Sequence, residues 1–361
     1  MVRAVLLLCL CCVTLQASAR VPAGYPQRYA ATIAAAEKEG KLVVYAALDR
    51  SAIAPLIDDF QAMYPGITVE YRDMNSADLY AQFVRETRSG TRSADIVWSS
   101  AMDLQFKLVN DGYAQAYKSP EVTNLPAWAV WRNEAFGTTY EPVAFAYNKR
   151  LLADHEAPQT HEDFARLLSA NPKRFRGKVA TYDIERAGLG FIFAAEDART
   201  WRDVRELLKA FGSLAPRFSA STEEMLERLA SGDEAIAYNL VGSYTRRKAR
   251  GDASIGYVYP KDYTLVISRI IFIPRSAPHF NAARLWLDYV LSKRGQSILA
   301  DKCDLFALRA DVDGEATAST LTRTLGGALK PIPVGPSLII YLDKARREEF
   351  LKQWKEDVGK D

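Results

Sequence analysis

The chain has 361 residues, 48% of them hydrophobic, and a formal net charge of +3. That length favours two domains over one, and the apolar content is enough for ordinary cores. A charge so near balance gives no argument for a nucleic-acid partner. The basic clusters Arg246, Arg247, Lys248, Arg250 and Arg346, Arg347 are expected to be solvated helix faces, since no aromatic interleaving accompanies them.

The first 19 residues read as a secretory leader. Arg3 supplies the positive start, "AVLLLCLCCV" the apolar stretch and Ala17-Ser18-Ala19 the small-x-small cleavage site. The apolar run is too short to span a membrane. Cys9, Cys11 and Cys12 fall in this leader, and neither Cys11 nor Cys12 follows a small residue, so no lipid anchor is expected. Cleavage would leave Cys303 as the one cysteine, a structural residue with no disulfide partner. The mature chain is expected to start near Arg20 and to be an exported, soluble monomer.

Then the elements follow in order. "GKLVVYAALD" (40–49) is an apolar strand without alternation, as a strand covered on both faces should be. Residues 51–66 form a helix bounded by Ser51 and Gly66, 67–73 a second strand, and 76–90 a second helix ending at Gly90. "ADIVWSS" is a third strand that turns directly into the helix "AMDLQFKLVNDG". This β-α-β-α-β-α run predicts a parallel sheet with right-handed crossovers. The pattern breaks over 124–152 and resumes as a second α/β run. Its helices fall at 160–171, 188–198, 200–214, 222–232 and after Gly242, and its strands at 177–183 and 234–241. "SIGYVYP" and "YTLVISRIIFIP" read as strands, 281–302 as one long amphipathic helix, and a last helix lies within 341–356.

Extended segments near 140–148 and 263–273 would link the two runs. The division expected is a leader at 1–19, a discontinuous first lobe at 28–146 plus 267–361, and a second lobe at 147–266.

In open α/β sheets, ligands bind beyond the carboxyl ends of the strands. Helix N-termini there present unpaired N–H groups that suit phosphate or carboxylate. Three strand-to-helix junctions carry small or hydroxyl residues: Ser99-Ser100, Gly188 with Gly190, and Gly242-Ser243. At any one of them Ser or Gly is also simply a good helix cap. Three at the same topological place point to an anion site. Other strand-end residues that could line it are Tyr45, Asp49, Thr138, Thr139, Tyr140, Tyr182, Asp183, Asn239 and Tyr244. His155, His161 and His279 are away from strand ends and read as surface residues. No HExxH, GxSxG or P-loop occurs, so no catalytic residue, cofactor or metal is expected.

Five stretches carry a resemblance: "LVVYAALDRSAIAPLIDDFQAMYPGITVEY", "SADIVWSSAMDLQFKLVNDGYA", "FGTTYEPVAFAYNKRLL", "LASGDEAIAYNLVGSY" and "NAARLWLDYVLSKRGQSILA". In that order the sequence resembles the extracellular solute-binding proteins of ABC importers, in the group that includes ferric-ion, thiamine, phosphonate and hexose-phosphate binders. The resemblance implies an α/β, two-lobed, type II periplasmic binding protein fold, each lobe a mostly parallel sheet flanked by helices, with hinge strands between. It also implies a periplasmic protein that closes on a small solute and delivers it to an inner-membrane permease, or alternatively docks on a sensor kinase. Ferric members of that group coordinate iron through adjacent tyrosines. Here Gly242 and Ser243 stand at the comparable positions with Tyr244 beyond, and Asp49 follows the first strand where ferric members often have a histidine. The departure points to an organic anion such as a phosphorylated sugar or phosphonate.

Overall fold

The structure is a computed structural model and describes residues 21–91 and 93–359; the stretch expected to be a leader, with its three cysteines, lies outside them. The first run is α1 (Tyr29–Glu39), β1 (Lys41–Ala46), α2 (Arg50–Met63), β2 (Thr68–Asp73), α3 (Ser76–Arg88), β3 (Ile96–Ser99) and α4 (Met102–Asn110). Short strands β4 (Val130–Trp131) and β5 (Ala135–Gly137) precede the eight-residue β6 (Glu141–Asn148). The second run is α5 (His161–Ala170), α6 (Pro172–Phe175), β7 (Val179–Tyr182), α7 (Gly188–Thr200), α8 (Val204–Ser213), β8 (Arg217–Ser219), α9 (Thr222–Ser231), β9 (Ile236–Val241) and α10 (Gly242–Gly251). The chain finishes with β10 (Ile255–Val258), β11 (Thr264–Ile267), β12 (Ile270–Phe272), α11 (Phe280–Leu291), α12 (Lys293–Lys302), α13 (Ala318–Leu325), β13 (Leu329–Pro331) and α14 (Lys344–Val358).

These strands form two sheets. The first has the order β2-β1-β3-β12-β5-β4, and the second β13-β11-β6-β9-β7-β8 with β10 paired to β6. β1 pairs in parallel with both β2 and β3, as the apolar, non-alternating strand predicts. Antiparallel β12 and β5 extend that sheet. One core lies between β1, β3 and the helices α1, α2, α11, where Phe60 stacks edge-on with Trp286. Another fills the second layer around Phe145, Phe164, Phe211 and Tyr238. Among the described residues no helix is long and apolar enough to cross a membrane.

The chain passes between the sheets at three places. Thr138, Thr139 and Tyr140 carry it from β5 to β6. Ser268 and Arg269 bring it back from β11 to β12. The segment after α12 returns it to β13. An antiparallel bridge between Thr139 and Ala307 ties the third crossing to the first.

Several expectations differ in detail. "YTLVISRIIFIP" is two strands in two sheets, not one, because the break falls at Ser268-Arg269 inside a continuously apolar stretch. Residues 281–302 are two helices. Ser292 is extended between them, and its hydroxyl accepts the Gly295 N–H as the cap of α12. The division at 146/147 and 266/267 also differs from the strand pairing, which places all of β6 and β13 in the second sheet. α14 packs on α8, where Arg205 pairs with Asp357 at 2.9 Å, so the C-terminal helix covers the second layer and not the first.

Two histidines have acidic partners, and His161 is not a surface residue. His161 is buried, stacked on Tyr263 at 3.8 Å and 3.0 Å from Asp262. His279 meets buried Asp95 at 2.9 Å. Nor is Arg246 solvated: it is buried and paired with Asp304 and Glu315. α1, β4, β5, β8, β13, α6 and α13 have no counterpart among the expected elements.

Glu234, just before β9, is fully buried, with Oε2 unpaired and Arg228 3.5 Å from Oε1. Burial pushes its pKa up from 4.5 to about 7, with Arg228 opposing. Below pH 4.5 it is protonated in both states and contributes nothing to the pH dependence. Between 4.5 and 7 the unfolded chain loses the proton first, so stability falls as pH rises, and above 7 the loss is complete. Glu234→Gln should therefore flatten the fall in melting temperature between pH 5 and pH 8. An unchanged slope in the variant would refute this assignment.

Candidate functional site

A cleft of about 580 Å³ lies where the carboxyl ends of both sheets face each other. On the first wall stand Ala47, Leu48 and Asp49 after β1, Asp73 to Ser76 after β2, and Ser100 after β3. On the second are Tyr182 at the end of β7, Leu189 in α7, Ala220 to Glu223 entering α9, and Val241 and Tyr244 after β9. The arrangement follows from the βαβ wiring, since every parallel strand delivers its last residue to the edge from which the next helix starts. The N-termini of α2, α3 and α4 therefore open on one wall and those of α7, α9 and α10 on the other.

The caps at these helices are already engaged. Asn75 accepts the Asp78 N–H, Ser221 that of Glu224, and Ser99 that of Ala101. Asp73 accepts the Arg50 N–H at the start of α2. The polar side chains that line the cleft are those of Asn75, Ser76, Ser100, Ser221, Thr222, Tyr182 and Tyr244 and the carboxylates of Asp49, Asp73 and Glu223; the Thr222 hydroxyl is buried and already bonded to the Tyr182 hydroxyl and the Val241 N–H. No lysine or arginine is among the described residues that line it.

Of the expected site residues, Asp49, Ser100, Tyr182 and Tyr244 line the cleft. The others have different work. Ser99 is buried, its hydroxyl accepting the Ala101 N–H ahead of α4 and lying 3.2 Å from that of Ser76. Tyr45 is buried and engaged with Glu86 and Arg72. Asn239, at φ +64°, hydrogen-bonds the buried Asp197 on the far side of the second sheet. The Asp183 carboxylate caps the turn at Glu185. Gly188 starts α7 beside Leu189 in open space.

Gly190 and Gly242 are close-packing positions. A Cβ on Gly190 would come 2.3 Å from the Tyr182 Cβ, and one on Gly242 would come 2.4 Å from the Pro142 carbonyl oxygen. Tyr140 packs on Trp128, and burial pushes its hydroxyl up to about 12. Thr138 receives the Trp98 indole N–H and donates to the Arg269 carbonyl. Thr139 and Ser243 both donate to Glu141. Asn75, Ser76, Ser221 and Thr222 are cleft residues outside the expected set, although "RDMNSADL" and "FSASTEEM" show the same strand-to-helix pattern as the junction at Ser99.

Behind the cleft floor lies a buried ion pair. The Arg269 Nε is 2.9 Å from Glu141, and the guanidinium also donates to the Ala47 carbonyl (3.1 Å) and the Tyr244 hydroxyl (3.0 Å). Burial alone would lower the Arg269 pKa, but Glu141 and Tyr244 outweigh it and hold the side chain above its ordinary value. Burial likewise raises the hydroxyls of Tyr182 and Tyr244, the latter against the opposing charge of Arg269.

Two α/β layers, three crossings and a polar cleft between strand ends define a two-lobed binding protein. The family model for bacterial extracellular solute-binding proteins matches residues 55–321, and the chain belongs to that family. It is similar to a crystal structure of the substrate binding protein of an ABC transporter from Agrobacterium tumefaciens, with 39% identity, a TM-score of 0.81, and coverage of 88% of this chain and 94% of that one. The periplasmic binding protein AfuA from Actinobacillus pleuropneumoniae, solved with fructose-6-phosphate bound, shares the fold at 19% identity and a TM-score of 0.69, covering 89% of this chain and 99% of that one. The apo ferric ion-binding protein A of Pasteurella haemolytica shares it at 16% identity and 0.68, covering 89% and 98%. Both bear out the type II periplasmic binding protein fold.

Proposed function

We propose that the chain is the periplasmic substrate-binding component of an ABC importer. It captures a small organic solute with several hydroxyls and one acidic group, such as a phosphorylated sugar or a phosphonate, closes on it as a monomer and hands it to a membrane permease. It does no chemistry. The observation that carries the reading is the convergence of helix N-termini from both walls on one cleft, with Ser76 and Ser100 opposite Ser221 and Thr222. N–H groups and hydroxyls there donate to an acidic group, while Asp49, Asp73 and Glu223 can accept the hydroxyls of the rest of the ligand. The ABC partner is supported by the Agrobacterium relative.

Ferric ion fits the two cleft phenols poorly. The Tyr182 hydroxyl is held by Thr222, that of Tyr244 by Arg269, and burial moves both away from the phenolate form that hard metal ions need. The three carboxylates favour a second reading, a ligand with a cationic group. A sensor kinase in place of the permease would use the same cleft.

A thermal-shift screen against hexose phosphates, a phosphonate, dicarboxylates, thiamine and Fe³⁺ separates these readings. A ligand at one hundred times its dissociation constant adds about 2.7 kcal/mol. The expected hit is a phosphorylated or phosphonate compound, and a shift with thiamine or Fe³⁺ alone would overturn the proposal. For the hit, Ser100→Ala should weaken binding about ten- to a hundredfold, since a hydrogen bond to a charged group contributes about 1.5–3 kcal/mol. If Ser100→Ala lowers the melting temperature and leaves affinity in place, Ser100 serves the helix only.

A further inference from the structure

The crossings hold the cationic group that the cleft lining lacks. Arg269 sits in the two-residue passage from β11 to β12 and is 1% exposed. Glu141, fully buried, is the first residue of β6 at the end of the other passage. Their pairing locks the two passages together. Thr139 reinforces it, its hydroxyl donating to Glu141 and accepting the Arg269 N–H. The rest of the guanidinium reaches outward in two directions, to the Ala47 carbonyl of the first cleft wall and to the Tyr244 hydroxyl of the second. Ser243, one residue from Tyr244, donates to the second Glu141 oxygen.

A planar guanidinium has donors in fixed directions. It is bonded to both walls and anchored at the passages. Burial makes each of these bonds costly to leave unpaired, so the arrangement favours one angle. From this geometry we infer that Arg269 is the positioning residue that sets the resting angle between the cleft walls, with Tyr244 as its contact on the second. This rests on the reading that the walls move to enclose a solute. A solute that displaces the Tyr244 contact would release the angle, which ties occupancy of the cleft to closure.

The test needs no ligand. Spin labels at Ala77→Cys in α3 and Glu227→Cys in α9, both exposed, report the separation of the walls by pulsed electron resonance, and the buried Cys303 is the one other cysteine among the described residues. Tyr244→Phe removes one contact and leaves the ion pair whole. Arg269→Lys keeps the charge but loses the fork. The expected result is a distance distribution about twofold broader, or displaced, in both variants. Unchanged distributions in Tyr244→Phe and Arg269→Lys, with or without a fall in melting temperature, would overturn the inference and leave Arg269 a core residue only. A further arm adds glucose 6-phosphate to the labelled parent. Its outcome bears on the solute reading alone, because the ligand-free comparison is complete without it.

Discussion

Glu141→Ala should be the most destabilising single change at the crossings, lowering stability by about 3–5 kcal/mol, the range for breaking a buried ion pair from one side. The variant leaves the Arg269 charge buried with only the Ala47 carbonyl and the Tyr244 hydroxyl, and it removes the acceptor to which the Thr139 and Ser243 hydroxyls donate. Replacing both partners at once, Glu141→Leu with Arg269→Met, should cost much less, since no unpaired charge remains. Urea melts of the single and double variants test this. A double variant as unstable as Glu141→Ala would mean that packing, and not the uncompensated charge, dominates.

Gly242→Asp should fail to fold at the growth temperature or lose several kcal/mol. The sequence suggests that this glycine faces an anion, so an aspartate there would repel a ligand and spare the fold. Its surroundings reverse that expectation. Any Cβ at 242 would meet the Pro142 carbonyl oxygen at 2.4 Å and the Tyr259 ring at 2.9 Å, and neither a backbone oxygen nor a packed ring can move aside cheaply. Gly242→Ala isolates the steric part, about 1–3 kcal/mol for overpacking, and the aspartate adds an unpaired buried charge. Melting curves on the two variants separate these contributions. Normal folding of Gly242→Asp with weakened ligand binding would restore the anion-contact role.

Much of the first layer is legible from residues 40 to 112, because β1, β2 and β3 alternate with helices whose ends carry readable caps and glycines. The rule that ligands meet strand ends finds Asp49, Ser100, Tyr182 and Tyr244. It could not separate cleft residues from those turned inward, since that depends on partners remote in sequence. Ser243 is claimed by Glu141, 102 positions away, and Asn239 by Asp197, 42 positions away. Nor does periodicity announce the switch between sheets at Ser268-Arg269, where apolar residues run on both sides. The three-residue strands β5, β8 and β13 are too short for any hydrophobic period to register.

The strand order of the first sheet has a consequence for the time course of synthesis. β12 lies between β3 and β5, so the strand that joins the two halves of that sheet is residues 270–272. A chain emerging N-terminus first therefore presents β1, β2 and β3 long before their neighbour exists, and β4 and β5 wait with them. The whole second run, β7 to β10 with its helices, must come out before the first layer can close. Until then β3 keeps an unpaired edge, and Trp98, which is fully packed in the finished protein, has neither the Thr138 partner nor the β12 backbone beside it. The nascent chain thus passes through a long stretch in which the first sheet is incomplete, and its joining strand is added only once residues 270–272 have emerged.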